Sequence, residues 1–181
     1  MNADIEKLCS KYDCVIRFNS GSNPNILKQY SFYSNRTDIS VLSGWKKGKF
    51  GPLSAYKNQK ILFSRPLKNT IKNSEFAWFG VEDKFIQDIK KYTDNFKFIP
   101  ELVFEQIYQR YDYTHPTTGM VTLFYIKNYL NENLDCVNFI LSDNTLDHFF
   151  LKEKKFTEYS HDLILEKQIL NDLNINNFKI I

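Results

Sequence analysis

The sequence predicts an α/β domain, a mainly parallel sheet held between two layers of helices. Three observations lead there. Short β-branched or aromatic runs of strand length recur along the chain, with stretches between them whose apolar residues fall three to four apart. No repeat, low-complexity block or Pro/Ser-rich linker interrupts this alternation, so residues 1–181 read as a single domain. With 43% apolar and 16% aromatic side chains, 181 residues can close one substantial core.

Taken in order, Asp4 to Tyr12 carries Ile5, Leu8, Cys9 and Tyr12 at helical spacing. Cys14 to Phe18 is a β-branched strand that runs into the polar loop Asn19-Ser20-Gly21-Ser22-Asn23-Pro24. Ile39 to Leu42 and Lys60 to Ser64 are two more strands, parted by the Gly/Lys-rich loop Gly44 to Lys49. Helical period marks 82–92 and 101–110, with Phe96 to Ile99 between them as a short strand. Pro116-Thr117-Thr118-Gly119 opens a buried helix, apolar nearly all round from Met120 to Ile126, and Lys127 to Asn133 turns polar. Pro116 is expected in its first turn, where the missing N–H costs nothing. Val137 to Leu141 is a buried strand ending in Ser142-Asp143-Asn144. Ser160-His161-Asp162 opens a further helix with Leu163, Ile164, Glu166, Ile169 and Leu170, and Phe178 to Ile181 closes as a strand. The sum is a Rossmann-like three-layer α/β/α sandwich with a mainly parallel sheet. Ligands in such sheets bind at the carboxyl ends of the strands, which selects Asn19 to Asn23, Pro116 to Gly119, Ser142 to His148 and Ser160 to His161 as converging segments.

Composition removes several function classes. A net charge of +3, from 24 basic and 21 acidic side chains, argues against general nucleic-acid or polybasic membrane binding. No apolar run reaches the roughly 18 residues of a spanning helix, and Met1 to Glu6 lacks the features of a signal peptide, so a cytoplasmic protein is expected. Cys9, Cys14 and Cys136 show no C-x-x-C spacing and read as reduced, partly buried thiols. The motifs G-x-x-x-x-G-K-S/T, G-x-G-x-x-G and G-x-S-x-G are all absent, as is any D-x-D pair. His115, His148 and His161 have no carboxylate or cysteine at metal-ligand spacing, so the expectation is chemistry with no metal and no cofactor.

What remains is one helix opening and three histidines. Backbone amides at Thr117, Thr118 and Gly119, with the positive end of a helix dipole behind them, can hold a phosphate or carboxylate. Equally, Thr117 or Thr118 can cap its own helix, with Gly119 allowing tight packing. His161 sits where the last long helix begins, and the dipole there disfavours imidazolium, which suits a neutral base; an exposed capping histidine is the other reading. His148 can donate to a phosphate or lie solvated in a loop. Glu166 is five residues beyond His161, roughly 140° around the helix axis, so it suits holding loop N–H groups better than direct chemistry.

The blocks Asp13 to Asn19, Arg36-Thr37-Asp38, Tyr113 to Met120, Val137 to Ile140, His148-Phe149-Phe150 and His161 to Glu166 stand in an order that resembles the sialyltransferases of glycosyltransferase family twenty-nine. The strand closing in Arg-x-Asn is similar to the end of that family's long motif, Pro-Thr-Thr-Gly opening a helix to its short motif, His148 with aromatics to its third, and His-x-x-x-x-Glu to its very short motif. The resemblance implies a single-domain GT-A-like fold, a CMP-sialic acid donor as substrate, and inversion at the anomeric carbon. By implication Asn19 holds ribose or phosphate, and Thr117, Thr118 and Gly119 bind donor carboxylate and phosphate, with Glu166 in the same donor-binding group. His148 stabilises the departing CMP phosphate, and His161 takes the proton of the attacking hydroxyl. The partners implied are the nucleotide sugar and a bacterial glycan acceptor such as surface polysaccharide or lipooligosaccharide, with peripheral membrane association and no nucleic acid. The family's first strand and its Gly-Asn-rich turn have no counterpart ahead of Asp4, and Cys136 lies off the short-motif cysteine position, so no disulfide is carried over. A CMP-binding remnant or partner subunit without turnover, and transfer of another CMP-activated acidic sugar such as Kdo, are the alternatives.

Overall fold

The computed structural model describes residues 7, 9–19, 36–44, 52–76, 80–137 and 161–178. The chain divides into two compact units, Met1–Pro100 and Glu101–Ile181. The fold is α/β and Rossmann-like, as the alternating pattern predicts.

The first unit holds β1 (Ile16–Phe18), β2 (Ile39–Leu42), β3 (Lys60–Phe63) and β4 (Phe96–Phe98), all parallel and in the order β1-β2-β3-β4. β1 starts at Ile16, two residues later than the β-branched run suggests. The Val15 amide donates to the Asp38 carboxylate at 2.7 Å, so a side chain takes the place of the first ladder bond. Arg36 ties the segment ahead of β1 to the start of β2. Its guanidinium donates to the carbonyls of Cys9, Tyr12 and Asp13 at 3.1, 2.8 and 2.7 Å, and its Nε lies 2.9 Å from Asp38. Of the helix expected over Asp4 to Tyr12, Lys7 and Cys9 are helical, the chain turns at Ser10 and Lys11 and bends at Tyr12, and residues 4–6 and 8 lie outside the described residues.

In a parallel ladder paired residues share a face, so Leu42, Ile61, Phe63, Phe96 and Phe98 line one side of this sheet. Helix α1 (Asp83–Lys90) lays Phe85, Ile86 and Ile89 on them. Phe63 is the centre of that core, fully buried, stacked on Phe98 at 5.1 Å and edge-on to Phe85 at 5.8 Å. Gly44 ends β2 with φ +69, and a Cβ there would stand 2.7 Å from a Val81 methyl, so both backbone and space call for glycine.

The second unit opens with α2 (Glu101–Tyr111), which stops at Asp112 with φ 52. Helix α3 (Thr118–Tyr125) follows, packs on α2, and continues as a single wider turn, Ile126–Leu130, closed by Asn131 in the left-handed region. Strand β5 (Asp135–Val137), helix α4 (Leu163–Asp172) and strand β6 (Asn176–Phe178) complete it, with β5 and β6 parallel. Both strands begin two residues earlier than the apolar runs Val137 to Leu141 and Phe178 to Ile181 imply. A polar pair, Asn176 Nδ2 to Asp135 Oδ1 at 3.1 Å, flanks their first rung, and residues 138–141 and 179–181 lie outside the described residues. The cysteines are free thiols, and burial pushes Cys136 up to about 12. Among the described residues no helix is long and apolar enough to cross a membrane.

Phe63→Ala should lower the unfolding free energy by about 3–5 kcal/mol, read from the midpoint of a urea titration. A loss below about 1 kcal/mol would show that the ring does not organise this core.

Candidate functional site

Glu166 lies in the first turn of α4 and is 1% exposed. A buried carboxylate persists only where donors surround it, and this one has three. Its Oε1 accepts from the Thr117 amide at 2.6 Å and from the Tyr113 hydroxyl at 2.9 Å, and its Oε2 accepts from the Thr117 hydroxyl at 2.8 Å. All three donors sit on the segment between α2 and α3, so the start of α4 is fastened to the start of α3. The pattern places an anion of the chain's own beside the positive end of the α3 dipole.

Two further contacts extend the seam. The Asp162 amide donates to the Tyr113 hydroxyl at 3.1 Å, while the Asp162 side chain caps α4 by accepting from Leu165 N at 2.9 Å. His161, just ahead of that cap, has Nδ1 2.8 Å from the His115 carbonyl oxygen. A carbonyl can only accept, so the Nδ1 position carries the proton and Nε2 is the basic nitrogen. The His115 ring, exposed on the same segment, has Nδ1 2.6 Å from Thr114 Oγ1.

Thr117 is the N-cap of α3, its hydroxyl accepting from Met120 N at 3.1 Å. Pro116 therefore precedes the cap instead of occupying the first turn, because the Thr117 hydroxyl accepts from Met120 N and the helix starts at Thr118. The Val121 amide reaches Thr117 O at 3.1 Å. Among the described residues nothing takes the remaining first-turn amides, those of half-buried Thr118 and buried Gly119. Of the three amides expected to receive an external anion, one is thus engaged internally and two are available.

Thr117, Thr118, Gly119, Glu166 and His161 are brought together. The segment Pro116 to Gly119 reaches this position from between two helices, and not from a strand end as the carboxyl-end rule supposed. Asn19 belongs to the first unit, where it follows β1 with φ 47; its Oδ1 accepts from Ser43 N at 3.0 Å and its carbonyl from the Tyr56 hydroxyl at 3.4 Å. That sheet's strand order runs without a reversal, so the switch-point rule marks no crevice within it. His148, Ser20 to Asn23, Ser142 to Asp147 and Ser160 lie outside the described residues. Sequence reasoning passed over Tyr113, whose phenol gives no sign in the sequence that it meets a carboxylate 53 residues away. Compared with protein-family models, curated proteins and solved structures, the chain matches none.

Burial raises the Glu166 carboxyl above the usual carboxylate range, while the Thr117 and Tyr113 hydrogen bonds pull it back. A carboxyl raised in the folded state binds more protons folded than unfolded, so its contribution to stability falls as pH rises through that interval. Wild type should therefore gain stability relative to Glu166→Gln as the pH drops from neutral through the acid range, in paired thermal melts. A gap that narrows on acidification contradicts the assignment. Glu166→Ala leaves the Thr117 amide, the Thr117 hydroxyl and the Tyr113 hydroxyl without their acceptor, and should cost about 3 kcal/mol in urea unfolding at neutral pH.

Proposed function

We propose that the chain is an inverting, metal-independent glycosyltransferase that moves sialic acid from CMP-sialic acid to a glycan hydroxyl, with His161 as general base. The observation that carries this reading is the pairing, on one seam, of an imidazole of assigned tautomer with two helix amides that nothing takes among the described residues. The amides of Thr118 and Gly119 suit a donor carboxylate or phosphate, because first-turn amides lie at the positive end of the α3 dipole. The basic Nε2 of His161 suits removal of the acceptor proton as the glycosidic bond to CMP breaks and the new bond to the acceptor oxygen forms. Proton and leaving group then part on different groups: the imidazole keeps the proton, and the CMP phosphate keeps the bonding electrons.

Thr117 and Glu166 serve this reaction by holding the seam, not by touching the donor. His148 keeps the leaving-group role that the family resemblance implies, and the cytoplasmic location, the bacterial glycan acceptor and peripheral contact with a membrane belong to the same proposal. A second reading, a CMP-binding remnant without turnover, draws on one observation: the Thr117 amide, one of the three anion donors the resemblance implies, is occupied by Glu166.

Incubation with CMP-sialic acid and a galactose-terminated acceptor, alongside calorimetry with CMP, separates the two. His161→Ala should lose about 10²–10⁴-fold in transfer with CMP affinity unchanged. Full transfer by that variant removes the base assignment; CMP binding by the wild type without transfer supports the remnant, and no CMP binding removes both readings.

A further inference from the structure

We infer that Tyr113 is the positioning residue for the His161 imidazole, acting through a single hydroxyl that joins the Glu166 carboxylate to the backbone of Asp162. The directions of its two hydrogen bonds are forced. The Asp162 amide can only donate, at 3.1 Å, and the Glu166 oxygen accepts, at 2.9 Å, so the phenol must be protonated and must both give and receive. Its environment secures that state. The side chain is 6% exposed, and burial, reinforced by the Glu166 charge, lifts the phenol far above its usual range. A hydroxyl satisfied on both sides is a spacer, and its bond to Glu166 is buried, so losing that bond leaves a buried polar group unpaired.

What this spacer sets is the place of His161. The Asp162 amide is one peptide bond from the histidine, and the same residue begins α4 through its side chain on Leu165 N and its carbonyl on Glu166 N at 3.0 Å. On the facing segment, Tyr113 is two residues from His115, whose carbonyl receives His161 Nδ1. The hydroxyl therefore fixes the distance between the two backbones from which the imidazole and its carbonyl partner project. Tyr113→Phe keeps the ring and its packing and deletes only that spacer.

For the kinetic consequence this inference rests on the glycosyltransferase reading; the structural consequence does not. In the ¹⁵N-labelled full chain, wild-type His161 should show a protonated Nδ1 and an unprotonated Nε2. Tyr113→Phe should mix the tautomers, and transfer should show kcat reduced by about 10- to 100-fold with the donor KM unchanged. Ile107→Val is the control, since it weakens the same unit from a fully buried position outside the bridge and should leave the imidazole signals as in wild type. Wild-type His161 signals in Tyr113→Phe, or equal disturbance by Ile107→Val, overturn the inference. Should the phenylalanine variant fail to fold, 3-fluorotyrosine at position 113, a poorer acceptor for the Asp162 amide, should shift the same signals by a smaller step, and unchanged signals there overturn it equally. A wild-type chain with the expected imidazole signals but no transfer counts against the glycosyltransferase reading alone.

Discussion

One buried carboxylate organises the second unit. Glu166 takes three donors from the short segment between α2 and α3, and without it the half-buried Thr117 amide and hydroxyl and the buried Tyr113 hydroxyl would lose their acceptor. Two helices that start beside one another present like ends of their dipoles, which repel weakly; a negative group between the starts offsets this. The same carboxylate engages the amide of the residue that caps α3, while the Thr118 and Gly119 amides have no partner among the described residues. Packing of the seam and chemistry of the candidate site are thus one constraint.

Much of the architecture was legible because it depends on local rules. Apolar alternation located β2 and β3, and helical period located α1 and α2 to within two residues, since each buries one face against a neighbour. The departures have side-chain causes that periodicity cannot register. β1 is shortened by the Asp38 carboxylate on Val15 N, and β5 and β6 begin early beside an Asn–Asp pair. At α3, proline signals a helix start but does not say which residue is the cap; Thr117 is the cap because its hydroxyl can serve Met120 N and Glu166 together.

The candidate site was legible by residue type and not by partnership. Pro-Thr-Thr-Gly and the His161 to Glu166 spacing mark segments that the structure brings together, and the 140° offset between His161 and Glu166 matches their different contacts: one imidazole on a backbone carbonyl, one carboxylate on an amide and hydroxyls. Tyr113 was invisible for a general reason. A hydroxyl that acts between two distant segments has no spacing signature, so only the folded structure reveals it.

The account stands or falls on the bond between Thr117 and Glu166, and a double-mutant cycle measures it directly. Unfolding free energies of wild type, Thr117→Val, Glu166→Ala and the double variant at neutral pH should give a coupling of about 1.5–3 kcal/mol, the strength of a buried hydrogen bond to a charged group. Losses that add to within about 0.5 kcal/mol would contradict it, because the two side chains would then be stabilising the protein independently.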